Sequence, residues 1–340
     1  MVEKLLAFEG IEERFQERFF NDTFTHMEIV PKTKEEAKKL DELKSKLVNV
    51  IQHSIETLGN TQIEIFRVKD FVELESGELL HLGKHKLIIF IRKVNKKGEL
   101  ELSRVGVKTV NESYTLIPHS EIIEEVEKLI RKAGYTPKTY IKNAGVTFRS
   151  LTVTDKEVKV DSEKFKIGFL INNSYNYTSA VRIHLYLLKS EEGYVLPLVR
   201  DILYKKHREN EITQEDFDKS LDYAQKVIEA LPYLKKITVS TREVLRGIAK
   251  VKTTYWKKTK DGKREHRTVY VGRTIAVEVI KRVGMRASVF DIWKAISEVV
   301  FSKDTHLSGL NIQTKRRIEN EIFKILESFL KQIKTLSLSL

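Results

Sequence analysis

Residues 62–110 constrain the fold of this chain more than any other part of its sequence. Apolar side chains alternate with polar ones over much of this range, and Leu87–Ile91 is a continuous apolar run. Alternation is typical of a half-buried β-strand, and a short apolar run bounded by turn residues is typical of a fully buried one. Lys96–Gly98 provides a turn between two of these strands. We therefore predict an antiparallel meander or the edge of a barrel.

The first predicted helix begins at a capping box. Thr33 can accept a backbone amide of the first turn, and Glu36 can reach back to the cap. Apolar residues then continue at intervals of three or four as far as Leu58, and Gly59 stops the pattern. The spacing predicts one long helix over residues 33–58.

Other segments complete an α+β pattern. Helical spacing recurs over 122–134, from 213 to Pro232, after the capping residue Ser288 and along 318–333, whereas strand-like segments cover 139–154 and 165–188. These patterns predict an α+β fold with an N-terminal helix and a mostly antiparallel sheet, followed by a helical C-terminal part that carries a projecting basic β-hairpin.

A polar connection that begins at Lys205 predicts a domain boundary. We expect an α+β domain over residues 1–205. A helical region over residues 206–340 follows it, with the basic hairpin at 250–273.

Composition excludes several classes of protein. The chain has no cysteine, which removes disulfides, thiolate metal sites and cysteine nucleophiles. Its first residues lack the pattern of a signal peptide, and no run of about 18 apolar residues occurs. We therefore expect a cytoplasmic protein with no membrane partner. Few glycines and prolines together with many lysines and glutamates follow the composition of proteins from thermophiles.

Positive charge is concentrated in residues 250–273, which we call the basic segment. The chain has a formal net charge of +13 and a pI near 9.5, which favours a polyanionic partner. Nine lysines and arginines of the basic segment oppose only Asp261 and Glu265, so nine minus two leaves +7. More than half of the net charge therefore lies in this one segment.

The basic segment has the pattern of a β-hairpin. Asp261 and Gly262 tolerate the positive φ of a type I′ turn. The flanking residues 252–256 and 268–271 are rich in β-branched and aromatic side chains, which favour strands.

The side chains of this hairpin suit nucleic acid. Lysine and arginine neutralise phosphates, and exposed aromatic rings stack on unpaired bases. We predict that the hairpin binds nucleic acid, with DNA favoured, through Lys250, Lys252, Tyr255, Trp256, Lys257, Lys258, Lys260, Lys263, Arg264, Arg267, Tyr270 and Arg273. The alternative is a strand pair whose lysines only prevent edge-to-edge association and whose aromatic rings pack on the core.

A second candidate contact lies near the polar run Asn172–Ser179. Asparagine and serine suit a tight hairpin loop between two strands. Tyr175 within the run, and Arg182 with His184 on the following strand, are candidates for contact with phosphates or bases. A turn capped by its own side chains is the alternative.

No catalytic constellation is recognisable. Phosphate-binding loops, the Rossmann glycine pattern, the nucleophile elbow and the His-Glu-x-x-His motif are absent, so we expect no cofactor and no metal. His81 and His85 share one segment without an obvious third ligand. Glu99 and Glu101 are the first residues to test for a metal-dependent nuclease, which needs clustered carboxylates.

Three short motifs resemble one known family. Ser-Tyr-Thr-Leu-Ile-Pro-His at 113–119, the run at 171–180 and the run at 288–298 occur in the order and spacing of the phage/plasmid-like family of unknown function found on mobile elements. The resemblance covers about residues 105–330. Asn176 and Tyr177 stand where that family favours Asp and Gly. The resemblance therefore implies a divergent member, from an archaeal virus or a plasmid.

Together these observations favour a nucleic-acid-binding protein of a mobile element. We expect it to bind or anneal single-stranded DNA in replication or recombination, as a homo-oligomer. A metal-dependent nuclease, and a virion or scaffold protein whose basic surface packs nucleic acid, stay open as alternatives.

Overall fold

The computed structural model has an α+β fold, as the sequence predicts. It describes residues 26–47, 49–73, 79–145, 147–160, 163–175, 181–189, 195–205, 214–258, 264–302 and 310–337. Within these ranges the strands form two five-stranded sheets and two two-stranded sheets, and every strand pair is antiparallel.

The N-terminal strands form the first five-stranded sheet, which we call sheet I. Its members are β1 (His26–Ile29), β2 (Val50–Leu58), β3 (Thr61–Glu73), β4 (Leu79–Val94) and β5 (Leu100–Asn111). The order along the sheet is β1-β5-β4-β3-β2, so the meander predicted over 62–110 is confirmed. Helix α1 (Lys34–Glu42) separates β1 from β2 in sequence, and its predicted cap forms, because Thr33 Oγ1 accepts the Glu36 amide at 3.1 Å.

The next strands form a second meander, sheet II. Helix α2 (His119–Lys132) leads into β6 (Pro137–Asn143), β7 (Thr147–Val160), β8 (Glu163–Ser174), β9 (Val181–Leu188) and β10 (Val195–Lys205), and the order along the sheet is β10-β9-β8-β7-β6. Gly134, at φ 85°, ends the turn after α2, as its position in the sequence predicts.

The C-terminal part is mostly helical. Its elements are α3 (Gln214–Lys236), β11 (Thr238–Ser240), α4 (Thr241–Val244), a 3-10 turn (Ile248–Lys250), β12 (Thr253–Lys258), β13 (Arg264–Val269), α5 (Val271–Val283), β14 (Arg286–Ser288), α6 (Val289–Phe301) and α7 (Ile312–Ser337). Ser288 caps α6 as predicted, since its Oγ accepts the Asp291 amide at 3.0 Å. None of the helices in the described ranges combines the length and the apolar character needed to cross a membrane.

One continuous cluster of buried apolar side chains joins both sheets to the C-terminal helices. It includes Ile89 of sheet I, Phe148 of sheet II, and Trp293 and Ile322 of the helices, all nearly inaccessible to solvent. The indole of Trp293 also donates to the Pro197 carbonyl oxygen at 2.9 Å, which satisfies its one polar group. Residues on both sides of position 205 therefore contribute to one core, and the domain boundary stays a prediction.

The helix predicted over 33–58 is wrong beyond Leu47. Helix α1 and a 3-10 turn (Leu43–Lys46) end there, Asn49 takes a left-handed φ of 57°, and β2 begins at Val50. Strand β2 pairs with β3 from Val50 to Leu58. Its β-branched residues at a spacing of four suit a helix or a strand equally, and the backbone hydrogen bonds offered by β3 favour the strand.

Two further predictions fail around the C-terminal helices. Helix α3 continues past Pro232, where the sequence predicted its end, because Leu234 in the following turn is fully buried and this packing outweighs one missing backbone hydrogen bond. The strand predicted over 268–271 stops at Val269, and α5 begins at Val271. Buried Ile275 and Val279 continue α5 at helical spacing.

Candidate nucleic-acid interface

The predicted basic hairpin is present. Strands β12 and β13 pair from Thr253 opposite Val269 to Lys258 opposite Arg264. Lys260 and Lys263 lie outside the described residues, and so do the side chains of Tyr255, Trp256, Lys257, Lys258 and Arg264. The described side chains of the basic segment are therefore those at the base of the hairpin.

Two cations flank an exposed aromatic ring at that base. The Nζ of Lys252 and the Cζ of Arg273 each lie 4.5 Å from the ring centroid of Tyr270. The Tyr270 side chain is 41% exposed, and Lys252 and Arg273 are exposed as well. A hydrogen bond and the charge of Lys252, together with the charge of Arg273, lower the pKa of Tyr270. We call these three residues the hairpin base.

The local backbone explains why these three side chains meet. Gly272 follows the hairpin and donates its amide to the Val251 carbonyl oxygen at 3.0 Å. A Cβ at this position would lie 1.8 Å from the carbonyl oxygen of Ile248, so only glycine permits this approach. The start of α5 is thereby held against the 3-10 turn before β12, which brings Arg273 and Lys252 to the same ring.

Helix α7 begins beside the hairpin base. Thr314 Oγ1 donates to Thr253 Oγ1 at 2.9 Å, and Asn311 Nδ2 lies 3.3 Å from the same oxygen. Asn311 also caps the helix by accepting the Thr314 amide at 2.8 Å. Arg317 donates to the Lys252 carbonyl oxygen at 3.3 Å. Exposed Arg317 therefore continues the positive surface of the basic segment onto the start of α7.

The remaining predicted residues of the basic segment, Lys250 and Arg267, are exposed. Lys250 ends the 3-10 turn before β12, and Arg267 lies on β13 opposite Tyr255. Both therefore present charge on the same part of the molecule as the hairpin base.

Tyr175 lies in the interior and offers no face to a base. Its side chain is 0% exposed, its hydroxyl donates to the Glu56 carboxylate, and its ring stacks on His119 at 4.0 Å. Burial is the main cause that raises the pKa of both Tyr175 and Glu56. The Glu56 carboxylate also accepts the Ser120 amide at 3.0 Å, so this network fixes the start of α2 between the two sheets.

The polar run Asn172–Ser179 is in part a strand and not a loop. Residues 172–174 belong to β8 and are buried, and residues 176–180 lie outside the described part of the chain. Asn173 Nδ2 donates to the Ile117 carbonyl oxygen at 3.0 Å. Pairing of β8 with both neighbours buries these amides, and their hydrogen bonds hold the segment before α2 in place.

Arg182, the last predicted contact, lies on β9 of sheet II. Its guanidinium is 2.6 Å from an Asp201 carboxylate oxygen and 5.0 Å from the ring centroid of Tyr204. One third of its side chain is exposed. Arg182 thus belongs to a separate group of charges, which the N-terminal turns of α7 also reach.

The residues considered for metal binding are engaged elsewhere. Glu99 and Glu101 both accept from Asn95 Nδ2 at the exposed β4–β5 turn. His85 Nδ1 accepts from Arg67 Nε at 2.9 Å, and the side chain of His81 lies outside the described residues. Within the described ranges, no three His, Asp or Glu side chains come together as a metal ligand set.

Sequence reasoning missed the contribution of α7. Three consecutive basic residues, Lys315-Arg316-Arg317, were a visible signal, but nothing in the sequence linked them to the hairpin. Arg149 of β7, which pairs with Glu319 of α7, was also not predicted, because it stands alone in the sequence. Comparison of the chain with protein-family models, curated proteins and solved structures finds no match.

Proposed function

We propose that this protein binds single-stranded nucleic acid, DNA above all, along the surface formed by the basic segment and the start of α7. The observation that carries the proposal is the hairpin base, where Lys252 and Arg273 flank the exposed ring of Tyr270. Phosphates of a strand would be neutralised by the surrounding cations, and an unstacked base would stack on the exposed part of the Tyr270 ring beside them.

The density of positive charge supports nucleic-acid binding over the alternative that the lysines only prevent edge-to-edge association of strands. Protecting a two-stranded edge needs only a few lysines, whereas the basic segment has an excess of seven positive charges. The aromatic ring of Tyr270 is also 41% exposed and does not belong to the buried apolar core. Both features are expected of a surface that tracks a charged backbone and stacks on bases.

The same proposal extends to biological role. A strand-binding surface of this kind, with the three motifs that resemble the phage/plasmid-like family, fits annealing of complementary strands during replication or recombination of a mobile element. Annealing requires several copies to align their basic surfaces, so we expect homo-oligomers in the cytoplasm. Sedimentation of the protein with and without single-stranded DNA checks this, and a monomer in both states would contradict it.

The test is reversal of charge with a matched control. The test variant changes Lys257, Lys258, Lys263 and Arg264 to Glu. The control variant changes four exposed lysines elsewhere, Lys38 and Lys39 on α1 and Lys96 and Lys97 in the β4–β5 turn, to Glu. Net charge falls equally in both, so any difference between them reports position.

Fluorescence anisotropy with labelled single-stranded DNA at moderate salt reads the outcome. We expect the test variant to lose measurable binding while the control keeps affinity within a few-fold of the wild type. Circular dichroism confirms that both are folded. Equal loss in both variants, or unchanged affinity of the test variant, would contradict the assignment.

A further inference from the structure

A second concentration of positive charge lies on sheet II, on the face that α7 covers. Strand register places Arg149 of β7, Asn172 of β8, Arg182 of β9 and Tyr204 of β10 in one row across the sheet. In the next row on this face, His184 lies under α7, with its ring 5.5 Å from that of Phe323. Arg182, next to the β10 end of this row, has one third of its side chain exposed.

Cations outnumber carboxylates at this place. The group, which we call the sheet II cluster, contains the cations Arg149, Arg182, Arg200, Lys315 and Arg316 and the carboxylates Asp201 and Glu319. Asp201 uses a single oxygen for both Arg182, at 2.6 Å, and Arg200, at 3.0 Å, while Glu319 pairs with Arg149. Among the described residues, five cations and two carboxylates leave three positive charges in excess.

The backbone of β10 is distorted to build this arrangement. Asp201 has a φ of 47°, in the left-handed region that a non-glycine residue seldom occupies. Its amide donates to His184 Nδ1 at 2.9 Å, and the register of β10 against β9 shifts between Val199 and Leu203. The bulge therefore aims the Asp201 carboxylate at the arginines, as bulges do near functional sites.

The pKa of His184 is sensitive to the positive charges around it. Burial, followed by the charges of Arg149, Arg182, Arg200 and Arg316, lowers the pKa of His184 to about 3. The imidazole is consequently neutral at physiological pH, and it adds no further charge to the cluster.

Arg316 forms no ion pair with a carboxylate among the described residues, although the charge of Glu319 acts on it. Its NH2 group donates to the neutral Asn172 Oδ1 at 3.2 Å, and its Nε–H is buried without an acceptor among the described residues. Burial and the charge of Arg149 lower the pKa of Arg316. A buried cationic donor without an anionic partner is costly, so an anion from outside the chain would stabilise it.

We propose that the sheet II cluster binds a phosphate group between Arg316 and Arg182. Guanidinium groups present paired donors that match phosphate oxygens, and the excess of positive charge attracts an anion. The phosphate belongs to the backbone or end of the strand held at the hairpin base, an identification that rests on the proposed function. Helix α7 connects the two places, because Arg316 faces the cluster while the adjacent Arg317 contacts Lys252.

Inorganic phosphate tests the site without nucleic acid. Thermal unfolding of the full chain is followed in sodium phosphate and in sodium chloride of equal ionic strength, for the wild type, Arg316→Gln and Arg182→Gln. Arg282→Gln is the control, because Arg282 is an exposed arginine that pairs with Glu298 on the surface. We expect phosphate to raise the Tm of the wild type and the control by about 2 °C or more, and neither cluster variant to respond.

Unliganded stability separates a binding role from a structural one. Since Arg316 lies among like charges, Arg316→Gln should have a Tm in chloride at or above that of the wild type. The phosphate site would be overturned by a Tm of Arg316→Gln in chloride below that of the wild type. It would also be overturned by an equal response to phosphate in all four proteins, or by no response in the wild type.

Single-stranded DNA with and without a 5′-phosphate then identifies the source. If the site holds a phosphate of the strand, Arg316→Gln should weaken DNA binding about tenfold, in keeping with the loss of a charge-assisted hydrogen bond. Loss of the response to inorganic phosphate with unchanged DNA affinity would overturn the link to nucleic acid and assign the site to a free phosphate compound. The charge-reversal variant of the hairpin tests the proposed function independently. If that function is wrong, this variant should bind DNA like the wild type.

Discussion

Removal of the Glu319 carboxylate should destabilise the protein far more than removal of a neighbouring carboxylate on the same helix. Glu319 is 5% exposed and pairs with Arg149, which is 10% exposed, so the pair joins α7 to β7 in the interior. Glu319→Gln leaves the Arg149 guanidinium buried beside Arg316 without its counter-charge. Breaking a buried ion pair in this way costs about 3–5 kcal/mol of unfolding free energy.

Glu321→Gln is the matched control. Glu321 lies two residues further along α7 and pairs with Lys324, whose side chain is mostly exposed. Surface pairs of this type contribute about 1 kcal/mol or less. Urea denaturation followed by circular dichroism measures both losses. The double variant Arg149→Met with Glu319→Leu should recover most of the stability, because it removes both charges of the buried pair together. A loss below about 1 kcal/mol for Glu319→Gln, similar to that of the control, would refute this account of the pair.

Three further predictions address separate parts of the molecule. Gly272→Ala should destabilise the protein by about 3 kcal/mol, because the added Cβ would clash with the Ile248 carbonyl oxygen. Gly247→Ala is the control, since the Cβ added there would meet only a flexible glutamate side chain. Thermal unfolding compares the two variants. Tyr270→Ala should cost about 1–3 kcal/mol of single-stranded DNA binding, measured by anisotropy, and no change would exclude stacking there. Burial raises the pKa of Glu56, so protonation favours its folded state. As pH falls from neutrality to 4.5, the wild type should therefore gain stability relative to Glu56→Gln in urea denaturation, and a constant difference would argue against that shift.

Local sequence patterns predicted the structure correctly where the cap or turn residue and its flanking residues favoured the same structure. The Thr33 and Ser288 caps, the glycine turn at Gly98 and the hairpin around 261–262 all combine a specific turn or cap residue with flanking residues of matching propensity. The chain adopts each predicted cap, and strands pair on both sides of each predicted turn.

Tertiary contacts decided the segments that failed. Residues 50–58 have apolar spacing that suits two structures, and only the neighbouring strand β3 selects one of them. Tyr175 lies in a polar run whose composition is typical of a loop. Its hydroxyl nevertheless donates to the buried Glu56 carboxylate of sheet I, 119 positions earlier in the chain. A pattern within the chain cannot specify such a partner.

The sheet II cluster is beyond sequence reasoning for the same reason. Arg149, Arg182 and Arg316 come from three distant segments, and they meet only because register aligns β7 to β9 and because α7 crosses that face. By contrast, the basic segment is continuous in sequence, so its excess of positive charge is evident from the order of its residues alone.

The salt dependence of binding tests the central claim most directly. Wild-type protein is titrated against single-stranded DNA, duplex DNA and RNA of equal length across a salt series, with fluorescence anisotropy as the readout. We predict tightest binding to the single strand and a slope of log affinity against log salt near −3.5, which corresponds to about five neutralised phosphates. Weak binding to all three, with little dependence on salt, would contradict a nucleic-acid surface at the hairpin.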